Sequence, residues 1–277
     1  MPGLSQAGFK FLKNPAVIKF LATLGEDGYP NLVPVLSTIA WDLDTLCFVR
    51  FMIWKTRRNL EERNKVAVGG FGLLKSLEVS GEFVGFEKSG ARLEYFNNQS
   101  LYRYNAYFGA GQVGVIKVIE QKEWIKTGLW RAVHARLISV SDHNPDNEPE
   151  VMPPVVQEKF QRWLSVKYVS WIDGSGKPRL APVPGAFPIS KSRISILGDE
   201  QIFKKLTPET KLSLSVLSTE PNAYQVKGRF LGMRTTGAGT CYYLVELEKS
   251  YSAGPPLAGE QIYPPEPWDG SLSLPLP

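Results

Sequence analysis

Lys55 and Thr56 stand side by side in the stretch Trp54 to Val68, which reads WKTRRNLEERNKVAV. An ammonium group next to a hydroxyl is a donor set for a phosphate dianion. The stretch follows an apolar β-like run, Leu46 to Ile53, and leads into another, Val66 to Val68, so the pair falls where a strand stops and a helix begins. Amide N–H groups and the positive end of the helix dipole at such a start favour the same ligand. Asn59 suits the cap of that short helix, and Glu61 and Glu62 its first turn. A solvated basic turn without a ligand has the same composition, so the elements around the pair must decide.

Those elements read as β. A short amphipathic helix, capped by Ser5 and carrying Leu4, Phe9, Phe11 and Leu12, ends at Asn14 and Pro15, because proline lacks an N–H and restricts the residue before it. Val17 to Leu24 and Asn31 to Val35 flank the turn Gly25, Glu26, Asp27, Gly28 and predict a hairpin. Further runs follow at Thr45 to Ile53, Val66 to Phe71 and Leu77 to Phe86. Regular short strands with turn punctuation predict a mainly β chain, a barrel or sandwich. The segment Arg92 to Gly114, rich in Tyr and Phe (Tyr95, Phe96, Tyr102, Tyr104, Tyr107, Phe108), predicts a helix whose aromatic rings pack in a core.

The second half repeats the first. An offset of 148 carries Gly28 to Gly176, Pro30 to Pro178, Leu32 to Leu180, Pro34 to Pro182, Val35 to Val183 and Val68 to Val216. After one deletion the offset is 147, and Val79, Gly81, Phe83 and Gly85 fall on Val226, Gly228, Phe230 and Gly232, one face of a strand in both copies. Two homologous β domains are therefore expected, residues 1–145 and 155–277, joined by the polar, proline-rich segment Asp142 to Pro154. Val155 to Leu164 becomes the second copy of the opening helix. Under the 148 offset Lys55 and Thr56 fall on Phe203 and Lys204, so the phosphate cradle is expected once per chain.

Composition narrows the function classes. A chain of 277 residues, 43% hydrophobic, can bury a large core and prefers about two domains. Its net charge is +5 with a pI near 9.0. Up to residue 150 there are 18 Lys and Arg against 16 Asp and Glu, and after it 14 against 11. Neither half is a basic module, and nucleic acid is not implied. Cys47 and Cys241 lie in apolar runs and are expected as buried, reduced thiols of a cytoplasmic protein. The most apolar region, Leu32 to Trp54, contains Asp42, Asp44 and Arg50, so no membrane span is expected. His134 and His143 are the only histidines and build no metal site with two cysteines. Gly109, Gly111 and Gly114 spell GxGxxG ahead of a β-like run, where a dinucleotide fingerprint needs a helix. Ser141, Asp142 and His143 are sequence neighbours, which is not how a hydrolytic triad is built. The sequon at Asn98 has no secretory context. The tail from Pro255 reads as an extended arm.

The hairpin with Asp27, Gly28 and Pro30, the strand ending in Lys55 and Thr56, then Asn59, Leu60 and Val66 to Val68, together resemble the flavin mononucleotide (FMN)-binding split barrel of the pyridoxamine 5'-phosphate oxidase-like superfamily. The resemblance covers residues 15 to 90 well and 165 to 235 as a weaker second copy. It implies two tandem split β-barrels, each an antiparallel six-stranded barrel, packed as a pseudo-dimer with the flavin ring in the cleft between them. It further implies that Lys55 and Thr56 hold the phosphate, that Arg58 or Arg50 adds a donor, and that the backbone of Val33, Pro34 and Val35 approaches the flavin. A homodimer of the whole chain stays open, since the tandem copy could itself be the partner barrel. The expected function is that of an FMN-binding oxidoreductase passing hydride or electrons between an electron donor and a small-molecule substrate; the alternative is a flavin- or heme-binding protein without turnover.

Overall fold

The structure, a computed structural model, describes residues 3–51, 53–72, 75–99, 110–125, 148–198, 200–220, 222–236, 239–254 and 257–265. Helix α1 (Gln6–Lys13) starts at Ser5, whose Oγ accepts the Gly8 N–H at 3.0 Å, and it stops at Asn14 ahead of Pro15. Strands β1 (Ile18–Leu24) and β2 (Pro30–Pro34) form the expected hairpin. Gly28 in its turn has φ 74°, a conformation a side chain would strain. Then come β3 (Ile39–Ala40), β4 (Thr45–Val49), α2 (Trp54–Glu62), β5 (Lys65–Phe71), β6 (Lys75–Glu87), α3 (Ala91–Asn97) and β7 (Val113–Ile125). Among the described residues these strands form one antiparallel sheet in the order β2-β1-β5-β6-β7-β4-β3, one strand more than the expected barrel.

Strands β2 and β3 lie at opposite edges of that sheet, yet only residues 35–38 join them. So short a connection spans roughly 15 Å at most, and the sheet must curl until its edges approach. The curl encloses a core of Leu21, Leu46, Phe48, Val68, Leu77, Val79 and Ile116, lidded by Leu12 of α1 and Leu60 of α2.

The second half has α4 (Pro154–Gln161), β8 (Val166–Ile172), β9 (Pro178–Pro182), β10 (Ala186–Pro188), β11 (Arg193–Ile196), α5 (Glu200–Phe203), β12 (Lys211–Leu217), β13 (Ala223–Thr235), β14 (Cys241–Ser252) and β15 (Gln261–Tyr263). Its sheet runs β9-β8-β12-β13-β14-β11-β10, the same sequence of strands as in the first half, with β15 added beside β14. The bulges repeat as well, at Ser80/Gly81 and Phe83/Gly85 in one half and Lys227/Gly228 and Phe230/Gly232 in the other. The chain is mainly β, in two antiparallel sheets with one strand order.

Several expectations need correction. Register equates Val68 with Leu214, not Val216: Leu21 pairs Val68 while Val169 pairs Leu214. Two residues have been lost between β11 and β12, so the offset there is 146. Cys47 is buried, its thiol pushed up to about 12 by burial, but Cys241 is exposed at the start of β14. In the segment read as a linker, residues 142–147 lie outside the described residues, and Val151 and Met152 are not linker-like: both are buried in the second core. Part of the tail read as an arm is strand β15. Tyr102, Tyr104, Tyr107, Phe108, Gly109, Ser141, His134 and His143 also lie outside the described residues, whereas Phe96 of α3 packs with Cys47, Val49 and Val113 as core.

The halves meet through a third apolar cluster, Phe20, Ala22, Leu32, Ala67, Val166, Tyr168 and Leu180. Phe20 and Tyr168 are the same position in the two copies, and their rings stack on each other with centroids 4.8 Å apart. Leu32 and Leu180 are a second equivalent pair in the cluster. An interface built from a residue and its own counterpart has pseudo-two-fold symmetry. Gly69 of β5 makes the close approach possible, since a Cβ there would lie 2.2 Å from Leu180 Cδ1.

Candidate functional site

Helix α2 is placed by Leu60, which enters the first core, and by Asn59, whose Nδ2 donates to Thr23 Oγ1 of β1 at 3.0 Å. The helix starts at Trp54, earlier than its acidic residues suggested, so Asn59, Glu61 and Glu62 sit near its end and Asn59 is not its cap. The N-cap position is Ile53, and no side chain caps the helix. A helix start leaves its first-turn amides without intrahelical acceptors, and here that start opens onto a cavity.

The cavity has a volume of about 810 Å³ and lies between the halves. From the first half it is lined by Ile18, Asn31, Val33, Pro34, Val35, Leu36, Ser37, Val49, Phe51 and the α2 start, Ile53 to Thr56. The second half closes it with Leu217, Ser218, Thr219, Asn222 and Ala223 around the β12–β13 turn, and with Ala253, Gly254, Ala258 and Gly259 after β14. Lys55 and Thr56 hold one end. Thr56 is buried, and its Oγ1 accepts Asn31 Nδ2–H at 3.0 Å, which leaves the hydroxyl hydrogen to donate elsewhere. Lys55 is exposed and holds its Nζ 4.0 Å from the centroid of the Tyr251 ring, contributed by β14. Apolar side chains of β2, β4 and the α2 start form much of the remaining wall.

Of the eight residues expected at the cofactor, Lys55, Thr56, Val33, Pro34 and Val35 line this cavity, whereas Asn59, the eighth beside Arg58 and Arg50, is turned into the fold toward Thr23 and does not. The stretch Val33 to Val35 offers it side chains more than N–H groups: Pro34 has none, and the Val35 N–H donates to Lys19 O at 2.9 Å. Arg58, with 63% of its side chain exposed, points to solvent in ion pairs with Glu26 and Glu62. Helical spacing turns it away from the face that Thr56 and Leu60 share. Arg50 donates to Gln112 Oε1 at 2.8 Å, lies over the Trp54 ring and is not among the residues lining the cavity.

The symmetry-related cleft is built differently. Measured from the helix starts, Lys55 and Thr56 correspond to Gln201 and Ile202 rather than to Phe203 and Lys204, with the same result, because Ile202 is buried in the second core and carries no hydroxyl. Glu200 opens that helix, and Lys204 is paired to it at 2.5 Å. Asn31 corresponds to Arg179, and Gln225 to Glu78. At the first cleft the neutral Gln225 Nε2 donates to Leu32 O at 2.5 Å. At the second, Arg179 Nε donates to the buried Glu78 at 2.7 Å, and Leu180 N–H donates to the same carboxylate at 3.3 Å. Burial holds the Glu78 carboxyl above its ordinary range, although the Arg179 guanidinium opposes this.

Reasoning from the sequence missed Asn31, Tyr251 and the second-half wall. A usable signal existed: Asn31/Arg179 and Glu78/Gln225 are repeat positions at which the copies differ in charge, next to positions at which they agree.

No family model matches the sequence, and no curated protein matches it. Solved structures do match. HupZ of Group A Streptococcus is 21% identical and is covered over 99% of its length by 45% of this chain, with a TM-score of 0.37. An FMN-binding protein from Syntrophomonas wolfei is 16% identical over 88% of its length and 43% of this chain, TM-score 0.36. A protein of the pyridoxinephosphate oxidase family from Clostridium acetobutylicum, related to general stress protein 26, is 15% identical over 81% of its length and 40% of this chain, TM-score 0.32.

Proposed function

We propose that the cavity between the halves binds one FMN per chain and that the protein is a flavin-dependent oxidoreductase. The observation that carries this reading is the division of the cavity into a polar end and an apolar slot. Lys55, the Thr56 hydroxyl and the uncapped start of α2 converge at one end, while Ile18, Val33, Val35, Val49 and Ala223 give the slot apolar walls. A phosphate monoester joined to a flat, largely apolar ring system has the same division, and about 810 Å³ lies within the range of small-molecule sites. Lys55 and Thr56 hold the phosphate, and the β2 side chains and the β12–β13 turn enclose the ring. Bound there, the flavin supplies hydride or electron transfer, and the chain supplies binding, orientation and exclusion of water. The electron donor and a small-molecule substrate reach it from the side rimmed by the exposed Leu36 and Phe51.

Titration of the apoprotein with FMN tests the site. One equivalent per chain is expected, and Lys55→Ala should weaken binding roughly ten- to a hundredfold, since a charge-assisted contact to phosphate contributes about 1.5–3 kcal/mol. Two equivalents, or indifference to Lys55→Ala, would remove the assignment. Reduction of the bound flavin by NADH or NADPH then separates an enzyme from a carrier.

A further inference from the structure

Around the turn at Asp27 the second half brings three lysines onto the first. Lys211 Nζ donates to Asp27 O at 2.7 Å. Its counterpart Lys65 does the same to Ser175 O at 3.0 Å, Ser175 being the repeat position of Asp27. This contact exists on both sides of the pseudo-two-fold and serves as a latch between the halves.

Lys227 and Lys249 are different. Both approach a single atom, Asp27 Oδ2, at 3.4 and 3.3 Å, while Oδ1 is occupied by the Tyr29 N–H at 3.1 Å. One carboxylate oxygen thus serves two ammonium groups, and Lys227 is only 4% exposed. Register places Ser80 and Glu120 at the equivalent positions in the other half. The extra cations therefore occur only at the cleft that also holds Lys55 and Thr56. Lys227 Nζ lies 5.3 Å from the centroid of the Tyr251 ring, the ring over which Lys55 Nζ lies at 4.0 Å. The other side is reinforced as well, but by Glu78 and Glu120 of the first half on Arg179 of the second, so there each added charge meets one of opposite sign, whereas here the lysines outnumber the carboxylate they share. An anion at this cleft gives that surplus a purpose.

We infer that Lys227, supplied by the second half, is a further phosphate-binding residue, which together with Lys55 and Thr56 completes a site for a phosphate monoester dianion. This rests on the flavin reading of the cavity. The lysine is prepared for an anion by its surroundings: burial, with Lys55 adding to it against Asp27, holds its ammonium down to about 8, and a second negative group would restore the charged form.

The test compares FMN with riboflavin, which lacks the phosphate, on the full chain. In the wild type FMN should bind more tightly than riboflavin. Lys227→Met should weaken FMN about tenfold and leave riboflavin within twofold, and Lys227→Arg should retain the preference, which excludes a general folding defect. Lys249→Met, at a more exposed lysine, keeps the test usable if Lys227→Met does not fold, and should weaken FMN selectively by a smaller factor. If Lys227→Met leaves the FMN preference intact while Lys55→Ala abolishes it, Lys227 is only a latch and the inference is overturned. If the wild type binds neither flavin, the cavity reading fails by itself. The inference is then decided with inorganic phosphate: protection of the wild type against heating that is lost in Lys227→Met upholds an anion site, and equal protection of both, or of neither, overturns it.

Discussion

Thr56 shows how one hydroxyl can serve both the fold and a ligand. Its oxygen accepts from the buried Asn31, so Thr56→Val should cost about 1–3 kcal/mol of stability by leaving that amide unpaired. It should also weaken FMN binding, whereas Asn31→Ala in the same background should recover part of the stability but none of the affinity. Chemical denaturation and flavin titration on the two variants would show it, and equal recovery of both would rule out a ligand role for the hydroxyl. Lys19 of β1 is a buried ammonium whose Nζ donates to Asn14 O at 2.7 Å, and burial holds it down to about 8 from 10.5. Between those values the unfolded chain binds a proton that the folded chain does not. Stability therefore rises with pH across that window, and below it the full deficit is present. Lys227 acts in the same direction. Lys19→Met should raise the urea midpoint at pH 7 and flatten its rise toward pH 9.5, and parallel profiles for variant and wild type would contradict this account. Lys55 and Thr56 were legible as a pair because adjacency and a strand-to-helix boundary are local. Arg58 was misread because a run of charges does not say which of them faces the cavity.

The elements were legible where period and turn chemistry act locally. The Gly28 hairpin, the Ser5 cap and the strands β5 and β6 stand within a residue or two of where the pattern put them. The start of α2 was not legible. Its acidic residues suit a first turn, but they pair with Arg57 and Arg58 one turn back along the helix, which explains their place at its end. The two-residue loss before β12 was also hidden, since Val68 and Val216 match by type although register opposes it. Gly69 shows what an element must do to let the halves meet. Gly69→Val would force Leu180 and Tyr168 aside, and overpacking of this kind costs about 1–3 kcal/mol. A lower melting temperature and weaker flavin binding are expected together, because the cavity is made by the same approach of the halves. Loss of stability with unchanged flavin affinity would mean that the cleft does not depend on the interface.

At the scale of the molecule, two halves of one strand order have kept their interface and diverged in their clefts. The repeat of strand order was legible because glycines and prolines at turns and bulges tolerate little exchange. The second-half wall of the cavity was not, because no local pattern says which loop crosses a pseudo-two-fold. The cleft that holds the Arg179–Glu78 pair yields its own prediction. Arg179→Met leaves Glu78 buried without its partner, which should cost about 3–5 kcal/mol, and adding Glu78→Leu should recover most of it. FMN stoichiometry should stay at one in both variants. An additional equivalent in the double variant would show that the ion pair alone was excluding a ligand.

The covalent joining of the halves bears on how such a cleft behaves when protein is scarce. A site shared between separate subunits comes apart on dilution, so once the subunits dissociate its fractional occupancy falls in proportion to protein concentration as well as with ligand. Here both walls belong to one chain, with Phe20 and Tyr168 stacked between them. Occupancy should depend on free ligand alone, with a Hill coefficient of one, and should be the same at nanomolar as at micromolar protein.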